Sequence, residues 1–168
     1  MQKITPFFWF DMSCEEAVNY YVDTFNNAPY TTHESKINFI QRYEAGMETP
    51  GNDKMVGKIL TVEFELEGQK FQALDGGDIF HFNESISLLV ECRDQKEVDY
   101  FWSKLSSVPE SEQCGWCKDK FGLSWQIIPR RLGELMNDKD AQKVNRVVNA
   151  MLKMHKIVVS DLEKAYRE

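Results

Sequence analysis

The sequence predicts an α+β fold built on a duplicated β-α-β-β unit, with a helical C-terminal region. Three observations carry that expectation. An apolar strand, an amphipathic helix and further strands follow one another twice along the 168 residues. The two strand-to-helix junctions read alike: Ser13-x-x-Glu16-Ala17-Val18-x-Tyr20-Tyr21 recurs as Asp94-x-x-Glu97-Val98-Asp99-x-Phe101-Trp102. Beyond Pro129, apolar residues recur at helical spacing. A capping box can open any helix, so the junctions alone do not establish a repeat. The aromatic pair and the matching strand order favour one.

In order, "KITPFFWF" (residues 3–10) reads as a buried strand because it is apolar and aromatic almost throughout. The next helix takes Ser13 as cap and Glu16 as the returning partner, and Ala17, Val18, Tyr21, Val22 and Phe25 share its buried face. Residues 30–43 read as a long, polar, partly exposed strand, and "EAGMETPGNDK" (44–54) as a surface loop. In "KILTVEFELEGQKFQAL", Leu60, Val62, Phe64 and Leu66 alternate, Glu67-Gly68 turns the chain, and Phe71 and Ala73 continue the pattern.

After the loop "DGGDIFHFNE", Ile86, Leu88, Val90 and Cys92 share one face of a strand. Asp94 and Glu97 open the second helix, whose stripe is Val98, Phe101, Trp102 and Leu105. Two strands, 112–118 and 123–128, meet at the "DKFG" turn, and Pro129 ends the second. A helical face of Ala141, Val144, Val148, Met151 and Leu152 follows, and Ser160 with Glu163 caps a last short helix. The whole length fits one domain, residues 1–168, long enough to bury a core.

Composition narrows the function. A net charge of −7 and a pI near 5.1, with scattered basic residues, argue against nucleic acid or an anionic membrane as partner. No apolar run is long enough to span a bilayer, and the start does not read as a signal peptide. Four cysteines without an export signal point to reduced thiols in the cytoplasm. Gly76-Gly77 is a turn, not a phosphate or S-adenosylmethionine loop, because no G-x-G run opens a helix. Ser13, Ser103 and Ser160 lack the context of an activated nucleophile. Asp11 and Glu91 stand at matching strand ends, where a carboxylate could serve as acid or base but more often caps or meets solvent.

Cys114-Gly115-Trp116-Cys117 has redox or zinc spacing. Yet it lies in a strand pattern with no helix behind it to lower a thiol pKa. Residues three apart on a strand point to opposite faces, so the two sulfurs diverge. Cys14, Cys92, His33, His81 and His155 add no ligand spacing. The pair reads as structural.

The surrounding strings say more. "ITPFFWFDMSCEEAVNYYVDTF", "FQALDGGDIFHFNESISLLVEC" and "GWCKDKFGLSWQIIP" resemble the PhnB-like family, whose members are often labelled demethylubiquinone methyltransferase-like. That family belongs to the vicinal oxygen chelate superfamily, with glyoxalase I and bleomycin-resistance proteins. The resemblance covers about residues 3–168. It implies paired βαβββ modules, one over about 1–80 and a second, shortened one over about 83–129, with an extension over about 130–168. It also implies a homodimer with a small organic molecule held in a cupped sheet.

Metal-using members of the superfamily ligate a divalent ion from four strand positions, which by the resemblance fall here near Ile4 or Thr5, at Gln72 or Ala73, at Ser85 and at Gln126. Ile, Ala and Ser are not ligands for such an ion, and two amides cannot hold one against water. The expectation is therefore no metal and no cofactor. Strand alternation directs Ser85, Ser87, Leu89 and Glu91 to the cup, along with Ser124, Gln126 and Ile128, and places Phe8 and Phe10 on the face of Ile4. The ligand-pocket candidates are thus Phe8, Phe10, Gln72, Ser85, Ser87, Glu91 and Gln126. Aromatic, hydroxyl and amide groups suit a flat or apolar molecule held by a few hydrogen bonds. The reading is a metal-independent small-molecule-binding protein. The alternatives are a methyltransferase, as the family label suggests, or a diverged glyoxalase- or dioxygenase-type lyase.

Overall fold

The structure is a computed structural model that describes residues 2–48 and 52–168. The middle of the expected 44–54 loop, residues 49–51, lies outside them. The chain forms two compact units, 1–81 and 82–168. The α+β class stands, and each unit carries its own sheet and helix.

Unit 1 runs β1 (Phe7–Phe10), α1 (Cys14–Asn26), β2 (Lys36–Arg42), β3 (Ile59–Leu66) and β4 (Gln69–Asp75). Its sheet has the order β1-β4-β3-β2, with β1 parallel to β4 and the other pairs antiparallel. The β3–β4 hairpin turns at Glu67-Gly68, where both residues have positive φ (47° and 79°). That is the two-residue turn whose twist matches paired strands. β2 is shorter than the 30–43 expected, and most of it is exposed, as expected for a polar strand.

Alternation sends Val62, Phe64, Leu66, Phe71 and Ala73 into the core beneath α1, which contributes Ala17, Val18, Tyr21 and Phe25. Ring centroids of Phe8–Phe71 and Phe64–Phe71 lie 5.6 and 5.4 Å apart, so aromatic stacking forms the centre of this core. Ser13 does not cap α1 with its side chain. Asp75, buried at the end of β4, does the equivalent from a distance: its Oδ1 accepts the Cys14 N–H at 2.8 Å and its Oδ2 accepts the Ile59 N–H at 3.1 Å. One carboxylate therefore ties β4 to the starts of α1 and β3, where it meets the positive end of the helix. Lys58 Nζ donates to the Met12 carbonyl at 3.1 Å in the same corner.

Unit 2 repeats the connectivity in shorter form: β5 (Leu88–Cys92), α2 (Gln95–Leu105), β6 (Trp116–Lys118) and β7 (Ser124–Pro129). Its sheet order is β5-β7-β6, with β5 parallel to β7 and β6 antiparallel to it. This is the order of unit 1 without the outer strand. Asp94 caps α2, accepting the Glu97 N–H at 3.1 Å, and of the expected stripe Val98, Phe101 and Leu105 are buried while Trp102 is only half-buried. β5 begins at Leu88, so Ile86 lies outside it and is 73% exposed rather than part of the buried face.

The "DKFG" turn is held by a second buried carboxylate. Asp119 Oδ1 accepts the Phe121 and Leu123 N–H groups at 2.8 and 3.1 Å, and Oδ2 accepts the Trp125 indole N–H at 2.8 Å. An Asp in a turn that bonds forward to its own backbone is a common device. Here it also fixes a core tryptophan.

Three helices complete unit 2: α3 (Arg130–Met136), α4 (Ala141–Met151) and α5 (Val159–Arg167). Leu132, Leu135, Val147, Ile157 and Leu162 form their core. The buried residue of α4 is Val147; Ala141 and Leu152, expected on the buried face, are exposed. The last helix starts at Val159 without a side-chain cap, so Ser160 lies inside it, and Glu163 pairs with Arg131 and Arg167 instead. Asp140, not singled out by the sequence reading, caps α4 through the Gln142 and Lys143 N–H groups.

Candidate functional site

Each sheet has a face turned away from its helix. In unit 2 the register fixes that face. Leu88, Val90, Trp125 and Ile127 pair on the helix side, which leaves Leu89 beside Gln126 and Glu91 beside Ile128 on the other. Trp116 stands opposite Gln126 from β6, and Lys118 stands opposite Ser124. The expected facing of Ser87, Glu91 and Gln126 rests on this alternation, and two of them meet directly: Gln126 Nε2 donates to Ser87 Oγ at 2.8 Å. Glu91 is exposed one register step further along β5. Ser85 is not on a strand; it sits in the turn before β5, and its N–H and hydroxyl both bond to Asn83 Oδ1.

Polar groups crowd the Ser124 end of this face. Lys118 Nζ donates to Glu84 Oε1, and that bond holds the Glu84 carboxyl below its ordinary range. Ser124 is buried, and its hydroxyl has no hydrogen-bond partner. A buried polar group in that condition is rare enough to require a reason. Among the candidates, the sequence reading missed Lys118 and Trp116. Their signal is the alternation of β6 about Cys117, which the cysteine spacing overlies.

In unit 1, Gln72 lies on the open face between Phe7 of β1 and Glu63 of β3. Phe8 and Phe10 do not share that face. Both are buried in the aromatic core, because Phe8 pairs with Ala73 and Phe10 with Asp75, residues that point to the helix. Ile4, whose face they were assigned, precedes the strand and is exposed, so it could not set the register. The aromatics on the open side are Phe7 and Trp9. Trp9 packs against the Gly76-Gly77 loop: its indole N–H donates to the Gly77 carbonyl at 2.8 Å, and its ring meets Phe80 edge-on at 5.0 Å. Gly76 is required there, since a Cβ would come within 2.1 Å of the indole.

The cysteine pair has a structural use. Cys114 and Gly115 form a turn at positive φ (52° and 86°) rather than strand, and β6 starts at Trp116. Their N–H groups donate to the Met154 and His155 carbonyls at 2.8 Å each, and Ile127 N–H donates to the Gly115 carbonyl at 2.8 Å. This turn docks the segment between α4 and α5. All four cysteines are free, and burial pushes the Cys117 thiol up to about 12, with Asp119 and Glu112 adding to the shift. A thiol so raised is a poor nucleophile.

Donor chemistry decides what the open faces could hold. They offer the amides of Gln72 and Gln126, the hydroxyls of Ser87 and Ser124, and carboxylates at Glu63 and Glu91. Glu63 faces the Lys70 ammonium at 3.5 Å. Among the described residues no three His, Cys, Asp or Glu side chains are grouped to ligate a metal. The amides and hydroxyls are weak ligands for the divalent ion of the metal-using superfamily members, and the Glu63 carboxylate already faces an ammonium.

The repeated sheet, with its parallel first-to-last pairing, belongs to a PhnB-like domain, as the sequence profile and a solved relative show. The sequence profile of the 3-demethylubiquinone-9 3-methyltransferase family matches residues 2–128, and the chain belongs to that family. The PhnB protein from Bacillus cereus is 32% identical; the match covers 76% of this chain and 99% of that one, with a TM-score of 0.60. Protein PA1353 from Pseudomonas aeruginosa shares the fold at 15% identity, over 77% of this chain and 98% of that one, with a TM-score of 0.58. No curated protein sequence matches the chain. The family profile ends before the three C-terminal helices.

Proposed function

We propose that this protein binds a small organic molecule without a metal, on the open face of its second sheet. The observation that carries this reading is the Gln126–Ser87 hydrogen bond at 2.8 Å, set beside Leu89 and Trp116. A few fixed polar groups in an apolar surround are how small-molecule sites gain orientation and specificity. On the first sheet, Gln72 with Phe7 and Trp9 offers the same mixture. Membership of the vicinal oxygen chelate superfamily is part of the proposal, supported by the fold. Metal independence is supported by the donor types, amide and hydroxyl, at the positions where a cation would need imidazole or carboxylate.

A homodimer in the cytoplasm completes the reading. Ile4, Ile86 and Leu89 are large apolar side chains more than half exposed, as a subunit contact would require, and four free thiols suit a reducing compartment. Among the described residues no helix is long and apolar enough to cross a membrane. The family's description favours a second reading, methyl transfer, and a diverged lyase is a third.

A thermal-shift panel separates them. Stabilisation by flat apolar compounds but not by S-adenosylmethionine or divalent cations is the expected result. A shift with S-adenosylmethionine would replace binding by methyl transfer, and a stoichiometric shift with zinc, nickel, iron or manganese would restore metal chemistry. Light scattering at micromolar concentration should return twice the 19.6 kDa chain mass.

A further inference from the structure

We propose that the ligand of this face is an organic acid, an aromatic or apolar body bearing one carboxylate, and that Lys118 and Ser124 receive the carboxylate in place of Glu84. The inference rests on the binding reading above and names its ligand class.

Lys118 and Ser124 are directly opposed across the β6–β7 pair, so their side chains leave the sheet on the same side, Ser124 buried and Lys118 partly exposed next to it. The Ser124 hydroxyl is buried and lacks a partner. Replacing it by hydrogen would remove a destabilising group, so its presence calls for a role outside folding. The neighbouring ammonium is satisfied by a carboxylate already: Lys118 Nζ binds Glu84 Oε1. Glu84 belongs to the turn before β5, outside the sheet, and its side chain is 61% exposed against 21% for Lys118. The pair is therefore one in which the anion can be exchanged while the cation stays in place.

An incoming carboxylate has two oxygens. One can take the ammonium and the other the orphaned hydroxyl, which matches a charge-assisted pair of donors. A phosphate would present three oxygens to the same two donors. The body of the acid would lie along the face toward Trp116 and Leu89, where Gln126 and Ser87 can bond a polar substituent, and short of Ile128, which packs against the C-terminal helices. Glu84 then acts as an internal stand-in that the ligand displaces.

Calorimetric titration of the full chain with benzoate and phenylacetate, each against its neutral amide, tests the idea. Both acids should bind at least about tenfold tighter than their amides, the factor expected for a charge-assisted bond. Lys118→Gln and Ser124→Ala should bring acid affinity down toward that of the amide, and Ser124→Ala should melt no lower than the parent. Glu84→Gln should strengthen acid binding several-fold while leaving the amides unchanged, because it removes a competitor. Acid and amide binding equally, or Glu84→Gln without effect, would overturn the acid proposal and leave the small-molecule reading standing. If neither acid nor amide binds while neutral apolar compounds still raise the melting point, the acid class alone is wrong. No binding by any of these compounds would overturn both.

Discussion

Replacing Asp119 by Asn changes one oxygen to an amino group at the centre of the β6–β7 turn. The backbone N–H groups of Phe121 and Leu123 keep their acceptor at Oδ1. The Trp125 indole N–H, which gives 2.8 Å to Oδ2, would face another donor. Turning the amide over rescues the indole only by opposing two backbone donors instead. One charge-assisted bond is lost, about 1.5–3 kcal/mol, and two donors are set face to face, which adds to it. The expected total is about 3 kcal/mol.

In urea, with a slope of about 2 kcal/mol/M for a domain of this size, the midpoint should fall by about 1.5 M. Far-UV circular dichroism reads the transition without depending on the tryptophans. The Trp125→Phe background provides the control, since it removes the donor before the acceptor is altered. There Asp119→Asn should lose only about 1 kcal/mol, a coupling of about 2 kcal/mol between the two positions. A single mutant within about 0.5 kcal/mol of the parent, or additive losses in the double mutant, would refute the assignment of Asp119 as the acceptor that fixes Trp125.

Gly76→Ala should lower stability by about 2 kcal/mol and alter Trp9 fluorescence, because the new Cβ would overlap the indole and displace its bond to Gly77. Gly115→Ala combines a positive φ of 86° with a Cβ 2.7 Å from Ile128 Cδ1 and 3.1 Å from Ile157 Cγ1; limited proteolysis after Pro129 should become faster. A disulfide-exchange reagent should titrate one thiol quickly, Cys114, with Cys14, Cys92 and Cys117 slow because burial raises their pKa; a 114–117 disulfide on mild oxidation would restore the redox reading. The Asp99 carboxyl is held below the ordinary aspartate range by its hydrogen bond to Lys156, 2.6 Å away. The folded value is lowered, so this stabilisation is present above the ordinary range and is lost as pH falls through the folded value. Protection of the C-terminal helices from acid-active protease should therefore decline at low pH, and Asp99→Asn should flatten that decline.

The repeat was legible because both copies preserve local rules. Strand alternation in β3, β4, β5 and β7 and the stripes of α1 and α2 follow from side-chain periodicity, which is a property of the chain itself. The Glu67-Gly68 turn was readable for the same reason. Where periodicity is thin, the local pattern does not fix the buried face. "ITPFFWF" is apolar at almost every position, so nothing in it says which residues face the helix, and Phe8 and Phe10 turn to the core rather than to the open face. The α4 face was misplaced because its neighbours, not its own pattern, select Val147 for burial.

By itself, then, the sequence determined the α+β class, the family and the order of elements, since all of these rest on local pattern and motif. Only tertiary structure decided that Asp75 rather than Ser13 supports α1, that Phe8 and Phe10 belong to the core, and that Ser124 and Lys118 stand together. The physical reason is common to all three. Each depends on which strand lies beside which, and in what register, and pairing between segments distant along the chain is fixed by the packing of the whole unit rather than by any segment alone.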